Sequence, residues 1–544
     1  MLDVGRVREL AERVLSSGEA PPGTAAEEAV ASVVEEELER RGLSVERQEF
    51  RCASWTEESV WLSVDGAEVP AVALPPSPSG YVEGELVHVR SALGAGDLDG
   101  KVALVGMARE DPDHAASLYA LLARAGASAV VFYDFHPRVL RRIVVGIFAS
   151  YREGPGLPPP IPAVAVRLDD GRRLAEGAHY AQLEVRARYS EDSRSRNLLA
   201  VEGEPTVLLS AHLDRWLGGA ADDGVGVALL LAALEELRGV RGVGLAFFGA
   251  EEYGAPLYNP WYWAWGSRVF VERLLSTGEA EGLVALINVD VAARRPLTIS
   301  ASGPEFREAA RALLGGTFEY DLDSPYFDSF SFSSAGIAAL TVHSLWRYVD
   351  LYHTDHDTLG AVDWSAVGEA GGAIISVARE VARRGTSFFR YEAWKLELLE
   401  RLSRASELLE PPPKLVGLVK SLSVDERAAR VLRAKAIRPV REGEWYEPGI
   451  LHARAFPELL VLDDWELARR AAEAPDSGAI ERLRTRWTVG RVQELPSIPL
   501  GLAVPRGGGL PPGYRRELER VARAWLERVY AQLEEMLEGL PRAV

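Results

Sequence analysis

Three short stretches of this chain end an apolar run in imidazole or carboxylate groups, a fourth opens the helix after the first of them with two more acids, and a fifth is a separate cluster of such groups. "TVLLSAHLD" ends in His212 and Asp214, "GAADDG" holds Asp222 and Asp223, and "GVGLAFFGAEE" ends in Glu251 and Glu252. "LVALINVD" ends in Asp290, and "LYHTDHDT" offers His353, Asp355, His356 and Asp357. Imidazole and carboxylate without thiolate suit zinc or another borderline divalent ion in a catalytic site. Two ions held roughly 3.5 to 4 Å apart need one shared carboxylate, one His and one further carboxylate each, and a free carboxylate to carry protons. Two His, three ligating acids and one spare acid meet that count. Singly, each stretch has an ordinary explanation: a hydrogen-bonded histidine, a solvated helix start, a turn. Their joint placement at the ends of consecutive strands carries the metal reading.

For these groups to meet, the runs that bear them must be neighbours in one sheet. "TVLLSAH", "GVGLAFF" and "LVALINV" predict short buried strands, with the helix "GVGVALLLAALEELRG" between the first two. That is the pattern of a mostly parallel sheet with covering helices, whose ligands collect at the carboxyl ends of the strands. Upstream, residues 24–43 predict a helix capped by Thr24 and ending at Gly42, then the strand "SVERQEF". From Pro76 to Tyr189, strands alternate with the helical "DHAASLYALLARAGA" between proline-rich borders, which describes a separate inserted unit. Its His88, His114, His136 and His179 are scattered and predict surface or hydrogen-bonded side chains. Beyond Thr386 the patterns are helical, as in "YEAWKLELLERLSRASELLE", "SVDERAARVLRAKAI", "DWELARRAAEA" and "PPGYRRELERVARAWLERVYAQLEEMLEGL".

Composition narrows the class. At 544 residues the chain exceeds one core, and its longest apolar run, Val225 to Leu234, falls short of the roughly 20 residues a membrane span needs. A net charge of −19 repels phosphate backbones and anionic lipid, so neither nucleic acid nor a membrane is an expected partner. A single cysteine, Cys52, excludes an internal disulfide and fits a reducing compartment. The N-terminus lacks the basic start and apolar centre of a secretory signal, so a cytoplasmic location is expected. Three Asn, four Gln and three Met are few labile side chains, and five Lys stand against 56 Arg, a balance that predicts a thermophilic or GC-rich source.

The stretches "GTAAEEA", "HLDRWLGGAADDGVG", "GAEEYG", "NVD", "FSSAGIAAL" and "YHTDHDT" resemble, in order, the signatures of the co-catalytic zinc exopeptidases of metallopeptidase family twenty-eight. The step from His212 to Asp222, with Trp216 and the pair Gly218 and Gly219 between, is most similar to the glutamate carboxypeptidase II and transferrin receptor branch. The resemblance implies an α/β fold, a mixed and mostly parallel sheet flanked by helices, formed by residues 1–75 plus 190–386. It implies a protease-associated domain inserted at 76–189 and a helical domain at 387–544 through which two chains pair as a homodimer. It implies two Zn2+ per chain, bridged by Asp222, with His212 and Asp290 completing one site and Glu252 and His353 the other. Glu251 would be the general base, Asp214 would hold the His212 ring, Tyr352 would donate to the oxyanion, and Asp357 would support the site from behind. His343 and His356 are left as structural.

Two departures matter. Tyr253 to Trp265 places thirteen residues before Gly266 and Ser267 where the family pattern has a turn of about four, an insertion of nine. Tethered to Glu252, this insertion predicts a substrate pocket walled by Tyr258, Trp261, Trp263 and Trp265, with packing against the inserted unit or a second chain as the competing expectation. The 63 residues from Asp290 to His353 are few for the carboxypeptidase branch, which weakens the case for acidic specificity. Arg294 and Arg295 could pair with a substrate carboxylate, although paired arginines are commonly surface residues. The expectation is a metal-dependent exopeptidase acting on peptides, an aminopeptidase first and a carboxypeptidase second. A receptor-like module that has lost catalysis and a one-zinc transferase that cyclises N-terminal glutamine are the readings from other classes.

Overall fold

The computed structural model describes residues 2–89, 97–107, 109, 115–147, 156–201, 203, 206–259, 261–435 and, near the C-terminus, 523, 527, 530, 531 and 533–540. Helices α1 (Val4–Val14) and α2 (Ala25–Arg40) lead into the long strand β1 (Val45–Val64), as the sequence pattern predicts. Asp3 and Thr24 cap the two helices by accepting from the amides of Arg6 and Glu27. Then come β2 (Ala67–Glu68), β3 (Ala71–Ala73), β4 (Gly80–His88), β5 (Val102–Gly106), α3 (Ala115–Arg124), β6 (Ala129–Tyr133), β7 (Ala163–Val166) and α4 (Leu168–Leu174). A second long strand, β8 (His179–Val201), returns to β9 (Val207–His212), α5 (Val225–Glu236), β10 (Val243–Phe248), α6 (Trp265–Thr277) and β11 (Ala285–Val289). The unit closes with β12 (Thr298–Ala301), α7 (Pro304–Leu314), β13 (Glu319–Leu322), α8 (Ser329–Ser334), β14 (Ala338–His343), α9 (Leu345–Tyr348) and α10 (Trp364–Arg384).

The strands run in the order β13-β12-β14-β11-β9-β10-β8-β4-β5-β6-β7-β3, with β1 paired to β8. At the centre β14, β11, β9 and β10 are parallel, and every residue of β9, β11 and β14 is buried. Helices on both faces dictate that: α1, α5 and α10 cover one face, with α5 buried from Val225 to Ala233, and α6 and α8 cover the other. Because β9, β10 and β11 are parallel, His212, the turn after Phe248 and Asp290 emerge along one edge. The order of neighbours reverses around β9, where ligand sites collect.

The inserted unit has its own core, but that core begins before Pro76. Ala53, Trp55, Leu62, Val64, Val69 and Ala73 pack with Leu86, Val102, Val131, Val164 and Leu183. β1 and β8 pair antiparallel from Val45↔Ala200 to Val64↔Ala181, shifting register between Cys52 and Ser54, so both strands pass from one core into the other. Glycine and proline texture marks the cis Pro75–Pro76 bond and not the place where the packing changes.

Helices α11 (Glu392–Ala405), α12 (Pro413–Lys420) and α13 (Glu426–Lys435) form a third cluster with Tyr530, Leu533 and Leu537. The fully buried Arg433 ties it to the sheet unit, pairing with Glu305 at 2.8 Å and donating to the Gly336 carbonyl at 2.6 Å. Removing either partner of such a buried pair costs about 3–5 kcal/mol. The predicted helix "DWELARRAAEA" and most of the final one lie outside the described residues. Among the described residues no helix is long and apolar enough to cross a membrane.

Candidate metal centre

Two groups of side chains converge at the carboxyl edge of the sheet: His212, Asp222 and Asp290, and Asp222, Glu252 and His353. Within each group the ligand atoms lie within 4.8 Å of one another, all are buried, and Asp222 belongs to both. His212 Nε2 is 3.0 Å from Asp222 Oδ1 and 3.8 Å from Asp290 Oδ1. His353 Nε2 is 2.8 Å from Glu252 Oε2 and 3.4 Å from Asp222 Oδ2.

The chain fits these atoms to a cation better than to one another. His353 Nε2 makes no hydrogen bond with either carboxylate despite its closeness, and Glu251 Oε1, Glu252 Oε1 and Asp290 Oδ1 are buried without a partner. Burial drives the Glu251 carboxyl well above its ordinary range and lifts Glu252 to about 8 and Asp290 upward. Burial also disfavours the charged form of His353, yet Glu252 and Asp222 outweigh it and raise the imidazole to about 10. Crowded carboxylates that draw protons to themselves and their neighbours make a pocket of excess negative charge, which divalent ions would neutralise.

Neighbouring elements fix each donor. His212 Nδ1 donates to the Asp214 carbonyl at 2.9 Å, which leaves Nε2 to face the cluster. The Asp214 carboxylate, which the sequence assigns to that ring, stands 3.7 Å from Nδ1, within ion-pair reach, and also accepts from the amides of Glu251 at 2.9 Å and Glu252 at 2.8 Å. The preceding amides are held the same way, Gly249 by Asn197 Oδ1 at 3.2 Å and Ala250 by Glu27 Oε1 at 3.0 Å. Four consecutive N–H groups are thus met by three buried side chains, and Ala250 is kept at φ +55. A non-glycine residue holds that conformation only under such constraint.

The loop of Asp222 locks against the loop of His353. Asp357 accepts from the amides of Ala221 at 2.8 Å and Asp222 at 3.3 Å and from the Tyr348 hydroxyl at 2.7 Å. Gly218 must be glycine here, because a Cβ would stand 2.3 Å from the Asp357 carbonyl oxygen. Tyr352 lies half-buried with its ring stacked 3.6 Å from that of His353. His343 sits apart, buried against Phe327 and bonded to Ser300 at 2.8 Å, and burial lowers it to about 3. His356 is exposed. His88 meets the Tyr133 hydroxyl, His179 pairs with Asp65, and His136 is half-buried away from the cluster; His114 lies outside the described residues.

Of the four aromatic residues predicted to wall a pocket, three are engaged elsewhere. Tyr258 stacks on Tyr189 at 4.9 Å, Trp261 is buried against Phe330, and Trp265 donates to the Arg51 carbonyl at 2.8 Å. Arg268 lies over both indoles, 4.3 Å from Trp261 and 4.8 Å from Trp265. Only Trp263 is turned the other way, donating to Pro325 and stacking with Tyr326, which in turn meets the exposed Trp346. Tyr258 meets the competing expectation of packing against the inserted unit, while Trp261 and Trp265 pack within the sheet unit, on Phe330 and Arg51.

Two residues escaped the sequence reading. Asp328, in "FDSFSF", is buried with neither carboxylate oxygen hydrogen-bonded, and burial raises it to about 7. Glu27, within the quoted "GTAAEEA", is raised to about 8 by burial and by Asp214, although Ser195, Gly23 and Ala250 all donate to it. Asp328, set between Phe327 and Phe330, gave a local signal as an acid among aromatic residues; Glu27, next to Glu28 in the first turn of α2, gave none. The folded chain therefore keeps on Glu27 a proton that the unfolded chain releases above about pH 4.5. Stability from this group is complete below that pH and is lost as pH rises to about 8, by about 1.4 kcal/mol per pH unit. Glu27→Gln is expected to flatten that part of a denaturant-midpoint-against-pH curve; an unchanged slope would show Glu27 ionised throughout.

Fold and site together define a hydrolase of the metallopeptidase class. Residues 197–378 match the family described as Peptidase family M28, and that segment of the chain is a domain of this family. Among solved structures, the fold is shared with BSAP, a zinc aminopeptidase from Bacillus subtilis, at 20% identity and a TM-score of 0.55 over 70% of this chain and 95% of that one. A Peptidase M28 precursor from Shewanella amazonensis is similar at 18% identity and a TM-score of 0.57, over 70% of this chain and 93% of that one. No curated protein matches the sequence.

Proposed function

We propose that this chain is a two-zinc exopeptidase that removes residues from the amino end of peptides, with Glu251 as general base. The observation that carries the reading is Asp222, the one carboxylate common to both ligand groups. His212 and Asp290 would hold one ion and Glu252 and His353 the other. Bound there, the metal pair would supply Lewis acidity, acidifying water and polarising the scissile carbonyl. Glu251, buried beside the ligands but held by its own amide to Asp214, takes the proton of the attacking water and delivers it to the leaving amine. Tyr352 donates to the carbonyl oxygen as charge builds on it.

The choice of the amino end rests on charge. Beyond the ligand carboxylates, which the ions would neutralise, Glu251 and Asp328 are further acidic groups of the site that suit an ammonium group. The two arginines that could have gripped a carboxylate are occupied: Arg294 lies over the Tyr348 ring at 4.9 Å, and Arg295 pairs with Asp363 at 3.0 Å. The zinc and amino-end activity named for BSAP agree with this reading. Digestion of a mixed peptide pool with mass readout should give ladders shortened from the amino end. Ladders shortened from the carboxyl end would reverse the polarity, and zinc-free, inactive protein purified without chelator would favour a receptor-like module. Pairing of chains through residues 387–544 belongs to the same proposal, and a sedimentation mass of one chain would overturn it.

A further inference from the structure

The segment between β6 and β7 carries Arg141 from the inserted unit to the turn that bears His353. The Arg141 guanidinium is fully buried, and all five of its N–H donors have acceptors. Nε and Nη2 face the Asp134 carboxylate at 2.7 and 3.4 Å. Nη1 donates to the carbonyls of Val349, at 2.9 Å, and Tyr352, and Nη2 to that of Asp350 at 3.0 Å. The backbone continues the grip: the Arg142 amide donates to the His353 carbonyl at 2.9 Å, and Leu140 and Asp355 exchange two bonds at 2.9 and 3.1 Å. Arg142 turns the opposite way, pairing with Glu19 and Glu57 and lying over Trp55 and Trp216.

The turn that Arg141 grips ends in Tyr352 and His353. Its partly buried carbonyls need donors, and one planar group meets three of them together, which a lysine ammonium cannot do in the same geometry. His353 itself stands at φ +58, a conformation that needs bracing from outside the turn.

We propose that Arg141 is a positioning residue through which the inserted unit sets the Tyr352–His353 turn and thereby the affinity of the His353 half of the metal centre. This rests on the reading of His353 as a ligand, so the test includes His353→Ala beside Arg141→Met and Arg141→Lys. Zinc content is measured by elemental analysis after equilibration at several buffered free-zinc levels, alongside melting curves, kcat and KM. His353→Ala is expected to hold one zinc where the unaltered chain holds two. Arg141→Met is expected to stay folded, to hold one zinc at that level and to regain the second at about 10- to 100-fold higher free zinc, the loss usual for groups that orient ligands. Its kcat should recover in parallel while KM stays near that of the unaltered chain, and Arg141→Lys should fall between. A purely structural role would lower the melting temperature without making kcat depend on free zinc. If His353→Ala keeps two zinc ions, the ligand reading fails. If it loses one while the Arg141 variants bind both with unaltered affinity, the positioning role fails. Should Arg141→Met not fold, Arg141→Lys decides by the same measurement.

Discussion

Replacing Glu251 by Gln should leave the fold and metal content intact and slow peptide hydrolysis by about three powers of ten. The substitution keeps the size of the side chain and removes only its ability to accept a proton and pass it on. The turn should not move, because it is fixed by backbone: the amide at position 251 is accepted by Asp214, and the residues on either side are held by Glu27 and again by Asp214. In the metal-free chain burial holds this carboxyl well above its ordinary range, opposed by His212 and reinforced by Asp328, Asp290 and Glu252. The measurement is kcat at saturating peptide, with zinc determined on the same sample. A variant within tenfold of the unaltered chain would move the base to another residue, and one that loses zinc would make Glu251 a ligand.

Asp222→Asn is the second large effect, and it differs in kind. Because this carboxylate is common to both ligand groups, neutralising it weakens both sites together, and zinc should fall from two per chain to below one at free-zinc levels that saturate the unaltered chain. Hydrolysis should fall by more than in Glu251→Gln. The loss should also appear without substrate: an ion present at about a thousand times its dissociation constant stabilises a fold by about 4 kcal/mol, so zinc should raise the melting temperature of the unaltered chain far more than that of the variant. Retention of one tightly held zinc would mean that the two groups do not share Asp222 in solution.

His212, Glu252 and Asp290 were readable because each ends or closely follows an apolar run that folds as a buried strand, and parallel strands bring their ends to one edge. Asp222 and His353 lie in loops, and only the resemblance carried by "HLDRWLGGAADDGVG" and "YHTDHDT" pointed to them as ligands. What encloses them was not readable. Asp214 illustrates the limit: its nearness to His212 in sequence suggested a carboxylate beside the ring, but not that its carbonyl would take Nδ1 or that the carboxylate would also serve a turn 37 residues away. Glu27, Asp328 and Arg141 act across elements remote in sequence, and the only local sign, for Asp328 and Arg141, is a charge among apolar neighbours, as in "VLRRIVV". The aromatic segment misled for a related reason. A tether to Glu252 says where the loop begins but not which way its rings turn, and Tyr189 and Phe330 decided that.

The two long strands have a consequence for how this architecture can be pruned or exchanged. β1 alone, at about 3.3 Å per residue, is some 66 Å of continuous ribbon, and with β8 it serves two cores. A module strung on linkers can be snipped out at its ends; this one grows from the host's own sheet. Excision would have to sever paired rungs, such as Arg51 and Arg194, and splice them with a tight hairpin that keeps the register. The shortened protein could retain every metal-binding side chain and still leave the turn of His353 without Arg141. Variation in the inserted unit is therefore exposed to selection through hydrolysis itself, and chimaeras that swap this unit between relatives should be judged first by their zinc content.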